Sequence, residues 1–455
     1  MISFVLFSVF IILILCGAPI AVCLGVSSLV VLEHLAGTPN INMLAKSAIM
    51  GGNSFPLVAI PMFVLAGEIM QQGGLSRRIV STAYGLVGRF KAGLAYVNVL
   101  ACMFFAAISG SSPATVAAIG STMIPEMEKH GYDKDFSAAL TSAAGITGVM
   151  IPPSIPLIIY GVTANQSIGA LFMAGIVPGV LFSIGFMLVS RIVLRNNLSI
   201  MKVSNNNSQK EQYQAQAQPN TKLNISIKIN ANTDRLAPKK GALREHSIWA
   251  LIVPVIILGG IYGGIFTPTE AAGVAVIYAL LISVFVYSDL KLKDLPNIFK
   301  KASLTSATVL VMVVMAAAFG RLLTLQKVPV LVANTISQFS DNPIVILLLI
   351  NLMLLLVGMF METIAAIIIL TPILLPIAIT LGIDPIHFGI IMTVNLAIGF
   401  CTPPLGANLF IASGIANVSI EKITVALWPF LIAMLVMLML VSYIPSLSLF
   451  IPNLN

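Results

Sequence analysis

Ser109-Gly110-Ser111-Ser112-Pro113-Ala114-Thr115 interrupts two apolar runs, Leu94 to Ile108 and Val116 to Ile124. Gly and Pro at this place forbid one continuous helix. In a bilayer each freed backbone group needs a partner, so such a gap survives only inside protein or beside a cavity. The unwound segment offers carbonyl oxygens with Ser hydroxyls beside them, the neutral hard donors that a dehydrated Na⁺ requires. The half-helix that starts after the gap points its positive end to the same spot and suits a carboxylate. A plain kink or a small-residue packing site is the alternative. The gap favours ion or substrate binding over the kink because it has a counterpart.

That counterpart is Met361-Glu362-Thr363, which aligns at a separation of 251 positions, Ser111 with Glu362 and Ser112 with Thr363. It too divides apolar runs, Ile344 to Met359 and Ile364 to Ile369. A carboxylate at this depth costs roughly 2.5–3.5 kcal/mol on insertion scales, so Glu362 is expected to be paired or to order a site; proton carriage is the less favoured role. The same separation relates Pro125 to Pro376, Asp133 to Asp384, Gly148 to Gly399, Pro152-Pro153 to Pro403-Pro404, and Pro178 to Pro429. Two repeats are therefore expected, 1–195 and 248–455, with the binding site where they meet. The residues do not decide whether the repeats are parallel or inverted.

Two further sets of interruptions follow. Gly148-Val149-Met150-Ile151-Pro152-Pro153-Ser154 and Gly399-Phe400-Cys401-Thr402-Pro403-Pro404 each contain adjacent prolines, which remove two N–H groups and leave carbonyls free to coordinate. Asn53-Ser54-Phe55-Pro56 lies between short apolar stretches and reads as the tip of a re-entrant hairpin. The register sets Thr305-Ser306 opposite it, as the tip of a second hairpin over about 301–325. Glu68 is expected to cap or pair within the first hairpin. Arg321 either snorkels to the interface or clamps a substrate carboxylate. Asn53, Ser54, Thr305, Ser306 and Arg321 are thus the candidate substrate contacts.

Composition agrees with a lipid environment. The chain has 455 residues, 58% hydrophobic and 9% charged, against about 25% charged in soluble domains; its mean hydropathy is +1.02. The first apolar stretch, from Ile2 to Leu32, lacks a basic leader and a cleavage site and reads as a retained span, bent at Gly17-Ala18-Pro19. The polar segment 196–247, rich in Asn and Gln and basic in balance, reads as a disordered cytoplasmic linker. The net charge of +8 fits the excess of Lys and Arg in cytoplasmic loops and gives no ground for nucleic-acid binding. Cys16, Cys23, Cys102 and Cys401 sit in apolar runs without metal-ligand spacing and read as small buried residues. No enzyme motif, cofactor motif or Walker A sequence is present, so an ion gradient or another chain must supply energy.

At Ser109 to Thr115, with Ala117-Ala118-Ile119-Gly120-Ser121, Gly131-Tyr132-Asp133, Ile151-Pro152-Pro153-Ser154-Ile155-Pro156, Leu65-Ala66-Gly67-Glu68 and Ala174-Gly175-Ile176-Val177-Pro178-Gly179, the chain resembles the large membrane subunit of tripartite ATP-independent periplasmic (TRAP) transporters. The resemblance covers both halves; the 196–247 segment is longer and more polar than is usual. It implies an all-α polytopic elevator transporter with inverted repeats, re-entrant hairpins and broken helices, in the bacterial inner membrane. It implies Na⁺-coupled uptake of a small organic acid, with no other cofactor. A periplasmic binding protein would deliver the substrate, and a small four-helix membrane subunit, expected as a separate chain, would brace the frame. By position, Ser109, Gly110, Ser111 and Ser112 would form one sodium site. Gly148, Ile151 and Pro152 would contribute to the other, with Thr363, Gly399 and Thr402 as second-half matches. A stand-alone anion symporter without a binding protein is the rival.

Overall fold

The computed structural model describes residues 2–34, 41–90, 92–215, 242–337, 342–403 and 406–454. Among them there is no strand, and eight helices are long and apolar enough to cross a membrane.

The first half runs α1 (Ile2–Leu15), α2 (Ile20–His34), α3 (Ile41–Gly52), α4 (Ala59–Gln72), α5 (Leu75–Val87), α6 (Gly93–Ser109), α7 (Ser112–Lys129), α8 (Lys134–Gly145), α9 (Thr147–Met150), α10 (Ile155–Ala164) and α11 (Ile168–Ala215). The second runs α12 (Ala242–Tyr262), α13 (Pro268–Leu281), α14 (Leu295–Leu325), α15 (Val328–Ser337), α16 (Pro343–Phe360), α17 (Thr363–Thr380), α18 (Pro385–Gly399), α19 (Ala407–Ala416) and α20 (Ile420–Tyr443).

Adding 251 carries α7 onto α17 residue for residue, and the left-handed turn glycine Gly131 onto Gly382. Past the double-proline segments the offset becomes 252. Asn165 and Asn417, which end α10 and α19 in the left-handed conformation that Asn tolerates, are 252 apart. One residue is therefore added in the second break. Pro178 and Pro429 are not structural equivalents; they are the eleventh and tenth residues of their helices.

The repeats are inverted. Tyr160, late in α10, donates its hydroxyl to the carbonyl of Pro385 at the start of α18, at 2.6 Å. The second broken helix thus begins where the first finishes and runs the other way. α6 and α7 fold back on each other about Gly110-Ser111: Asn98 of α6 contacts Met127 of α7. α16 and α17 do the same about Met361-Glu362. Thr363 and Thr371 of α17 reach Leu396 and Met392 of α18, an antiparallel pairing, while Asn351 of α16 meets Asn395. The two hairpins therefore enter from opposite ends and bring their tips to mid-depth.

This corrects the hairpin assignment made from Asn53-Ser54 and Thr305-Ser306. The Asn53-Ser54 break is real, but α3 and α4 continue in one direction across it. Their partner α14 is an unbroken helix of 31 residues. Pairing of Gly51 with Ala317, Gly52 with Val314 and Glu68 with Lys301 sets them antiparallel. Thr305 and Ser306 lie inside α14, donating to the carbonyls of Lys301 and Ala302. Hydroxyls satisfied four residues back do not interrupt a helix.

Three other expectations shift. The first apolar stretch is not one bent span: Phe7, Phe10 and Gly25 all contact α14 at Met315 or Phe319, so α1 and α2 fold back on each other. Cys16 at that turn is exposed, whereas Cys23, Cys102 and Cys401 are buried. The polar segment is helical over 196–215, as the end of α11, because elongating a formed helix needs no new nucleus. Residues 216–241, half of the expected linker, lie outside the described residues.

One end of the molecule is basic. Lys129 ends α7 and Lys134 begins α8, Arg191 and Arg195 lie on α11, and Lys300 and Lys301 lie in the second turn of α14. Arg78 there pairs with Asp289 and stacks on Tyr287, fastening α5 to the segment that follows α13.

Candidate functional site: two hairpin tips and two broken helices

The first tip is built by local chemistry. Gly110 takes the left-handed conformation (φ 61°), where an L side chain is strained. Its carbonyl accepts from the backbone N–H of Ile155, tying the tip to the start of α10, at 3.3 Å. Ser111 is extended and caps α7, its hydroxyl accepting from the N–H of Ala114, with Pro113 in the first turn. Ser109 Oγ and Thr115 Oγ1 lie 2.9 Å apart, and Thr115 Oγ1 donates to the Ser111 carbonyl at 2.8 Å. Gly148 packs against this cluster: a β-carbon there would sit 2.6 Å from both Ser111 O and Thr115 Oγ1. Ser109, Gly110 and Ser111 are therefore brought together with Thr115 as a compact set of backbone and hydroxyl oxygens; Gly148, expected with Ile151 and Pro152 at the other site, instead packs on this one, because the first broken helix lies directly against the first tip.

Ile151 and Pro152 follow on the broken helix, both buried, before the cis Pro152–Pro153 bond. Ser154 then restarts α10, accepting from Leu157 N–H and donating to Val149 O at 2.6 Å.

The second tip repeats the plan with other residues. Glu362 occupies the position of Ser111 and caps α17, its carboxylate accepting from Ala365 N–H at 3.2 Å. The predicted partner of this carboxylate is thus a helix N-terminus, where negative charge is favourable. Thr363 is buried, with Oγ1 3.5 Å from Leu396 O. Gly399 lies against the backbone of Gly358, which leaves no room for a side chain. Thr402 Oγ1 donates to Ile398 O at 2.9 Å within the last turn.

The residue the sequence reading missed is Asn408. It is fully buried. Its Nδ2 donates to Ser112 Oγ at 2.8 Å and to Ser142 O at 2.9 Å. Its backbone N–H donates to Phe400 O at 3.0 Å. Ser112 thus faces the second repeat, and one amide joins hairpin 1, the first broken helix and the second break. A polar residue one step into an apolar helix just past a double proline was the available signal.

The predicted substrate contacts scatter. Asn53 is exposed and Ser54 half-buried at the α3–α4 break, while Gly67 of α4 contacts the backbone of Ser109. Thr305 is exposed and Ser306 buried. Sixteen residues of helix, about 24 Å, separate Thr305 from Arg321, so one small ligand cannot touch both. Arg321 lines a cavity of about 730 Å³ between α3 and α14 on one side and α10 and α17 on the other.

With this architecture in view, residues 7–447 match the family described as the tripartite ATP-independent periplasmic transporter, DctM component. The isethionate TRAP transporter permease protein DctMQ of Oleidesulfovibrio alaskensis is 45% identical over 98% of this chain, which spans 66% of that relative. The C4-dicarboxylate TRAP transporter large permease protein DctM of Rhodobacter capsulatus is 37% identical, over 99% of each chain. The sialic acid TRAP transporter large permease protein SiaM of Vibrio cholerae is 36% identical, over 92% of this chain and 91% of its own. In fold, the chain is similar to the YdaH transporter of Alcanivorax borkumensis, with a TM-score of 0.61 at 15% identity, covering 92% of this chain and 90% of that one. The chain is a multi-pass membrane protein that belongs to the DctM family, the large permease component of TRAP transporters.

Proposed function

We propose that this permease couples the inward movement of Na⁺ to uptake of a small organic acid across the inner membrane. One observation carries the reading. Two capped hairpin tips enter from opposite ends and stop at mid-depth against two broken helices, so oxygens and positive helix ends converge where the bilayer offers none. Ser109, Gly110, Ser111, Thr115 and Gly148 are assigned to one Na⁺ site, with Ser112, Ile151 and Pro152 flanking it. Thr363, Gly399 and Thr402 are assigned to the other. Na⁺ bound at each tip stiffens it, and the acid binds between the stiffened tips by its negative group. The relatives named for isethionate, C4-dicarboxylates and sialic acid, all small organic anions, support the same class for this chain.

The basic end faces the cytoplasm by the positive-inside rule. Hairpin 1 therefore opens inward and hairpin 2 outward. The hairpins and broken helices move as one core against a frame that includes α3, α4, α13 and α14, in an elevator cycle. A periplasmic binding protein delivers the acid, and a small membrane subunit braces the frame. The test is reconstitution with both partners in vesicles, with labelled succinate, isethionate or sialic acid inside an imposed Na⁺ gradient. Uptake above equilibrium that vanishes without the gradient supports the reading. Gradient-independent equilibration overturns it.

A further inference from the structure

The end opposite the basic one has few cations, as expected for the side that topology signals disfavour. Yet Lys46 of α3 and Arg321 of α14 line the same cavity there. Both side chains are exposed, and among the described residues no carboxylate pairs with either. No Asp or Glu lines the cavity. Its threonine hydroxyls are committed: Thr163 donates to Ile159 O and Thr324 to Gly320 O, at 2.8 and 2.9 Å. The charged donors left to an occupant are an ammonium and a guanidinium, with the Ser47 hydroxyl on the same wall. The facing wall, from α10 and α17, supplies Val162, Ile368 and Pro372, with no charge. The volume, about 730 Å³, falls in the range of about 300–1,000 Å³ typical of small-ligand pockets. Snorkelling accounts for either cation alone, but not for two cations lining one cavity with an uncharged facing wall.

We propose that Lys46 and Arg321 form a receiving site for a small organic anion bearing a carboxylate or sulfonate, separate from the hairpin tips. The proposal rests on the transport reading above for its direction, since this cavity opens to the side from which the acid arrives. Both cations sit on the frame. The anion is therefore held at the stationary wall while the core, lined here by neutral side chains, takes it over. A charge on the core would instead have to be carried across.

The site is tested without transport. Ser47→Cys places a thiol on the same wall, in the full chain with Cys16→Ser to remove the exposed native thiol. Its labelling rates are measured with an anionic sulfonatoethyl and a cationic aminoethyl methanethiosulfonate. The anionic reagent is expected to react faster, and millimolar succinate or isethionate to slow it. Lys46→Gln or Arg321→Gln should lower the anionic-to-cationic rate ratio roughly tenfold at low salt, less at high salt where the field is screened. Lys46→Arg and Arg321→Lys should keep it. Thr324→Cys serves as a second reporter. A ratio that neither Gln substitution changes, or labelling that neither anion slows, overturns the receiving site. Loss of Na⁺-driven uptake with protection intact would sink the transport reading alone; normal uptake without protection would sink the receiving site alone.

Discussion

Gly148→Ala tests the first cation site most directly. The added β-carbon would stand 2.6 Å from the Ser111 carbonyl oxygen and from Thr115 Oγ1, and 2.9 Å from the Ser111 carbonyl carbon. Two of these contacts are backbone at the tip, so a rotamer change relieves only the threonine. The rest must come from moving the tip away from the broken helix. Overpacking of this kind costs about 1–3 kcal/mol. If the Na⁺-bound tip is the tightly packed one, that cost falls on binding, and at about 1.4 kcal/mol per tenfold the Na⁺ affinity drops roughly 5- to 150-fold. The assay is Na⁺-dependent uptake in vesicles, read as half-saturating Na⁺ at fixed acid, with the fold checked by thermal unfolding. Gly85→Ala is the control, since nothing lies within 4 Å of its added carbon; half-saturating Na⁺ should not move. An unchanged Na⁺ titration in Gly148→Ala, with the protein folded, would refute the assignment of this oxygen cluster to Na⁺.

Other outcomes follow from the same geometry. Ser111→Ala and Thr363→Ala remove one hydroxyl from each tip and should each raise half-saturating Na⁺; normal titrations in both would count against the paired sites. Asn408→Leu leaves Ser112 Oγ without its buried donor and Ser142 O with only the weak Cys401 thiol, which costs about 1–3 kcal/mol for the unsatisfied group and should lower the unfolding temperature. It should also flatten the Na⁺ Hill slope if the amide couples the repeats. Asn408→Ser should restore part of both, and a slope unaffected by Leu would confine Asn408 to stability. Glu362→Gln keeps the cap acceptor but removes the charge, so it should be tolerated better than Glu362→Ala in thermal unfolding; equal loss in both would argue that the charge, not the cap, matters. Arg78→Ala removes the ion pair to Asp289 and the stack on Tyr287 and should destabilise by about 1–2 kcal/mol, measured by thermal unfolding at low and high salt.

The sequence by itself determined the solvent, the repeat and the places where helices must stop. Those follow from local rules: too few charges to face water, and Gly and Pro where no helix continues. Hence Ser109 to Thr115, Met361 to Thr363 and the two double prolines were legible as breaks, and their pairing across the halves was legible as spacing. What a break becomes was not local. Gly110-Ser111 is a hairpin tip because α7 finds antiparallel packing on α6 and α8. Asn53-Ser54 is a step in a crossing because α3 and α4 both pack along one partner, α14. Thr305-Ser306 looked like a tip by register, yet its hydroxyls are absorbed by the preceding turn and the helix runs on. The one-residue shift after the double prolines, the role of Asn408 and the meeting of Lys46 with Arg321 all depend on which distant helices lie side by side. Only the tertiary structure decided them, because hydrogen bonds and charge across 200 or more positions leave no periodic trace along the chain.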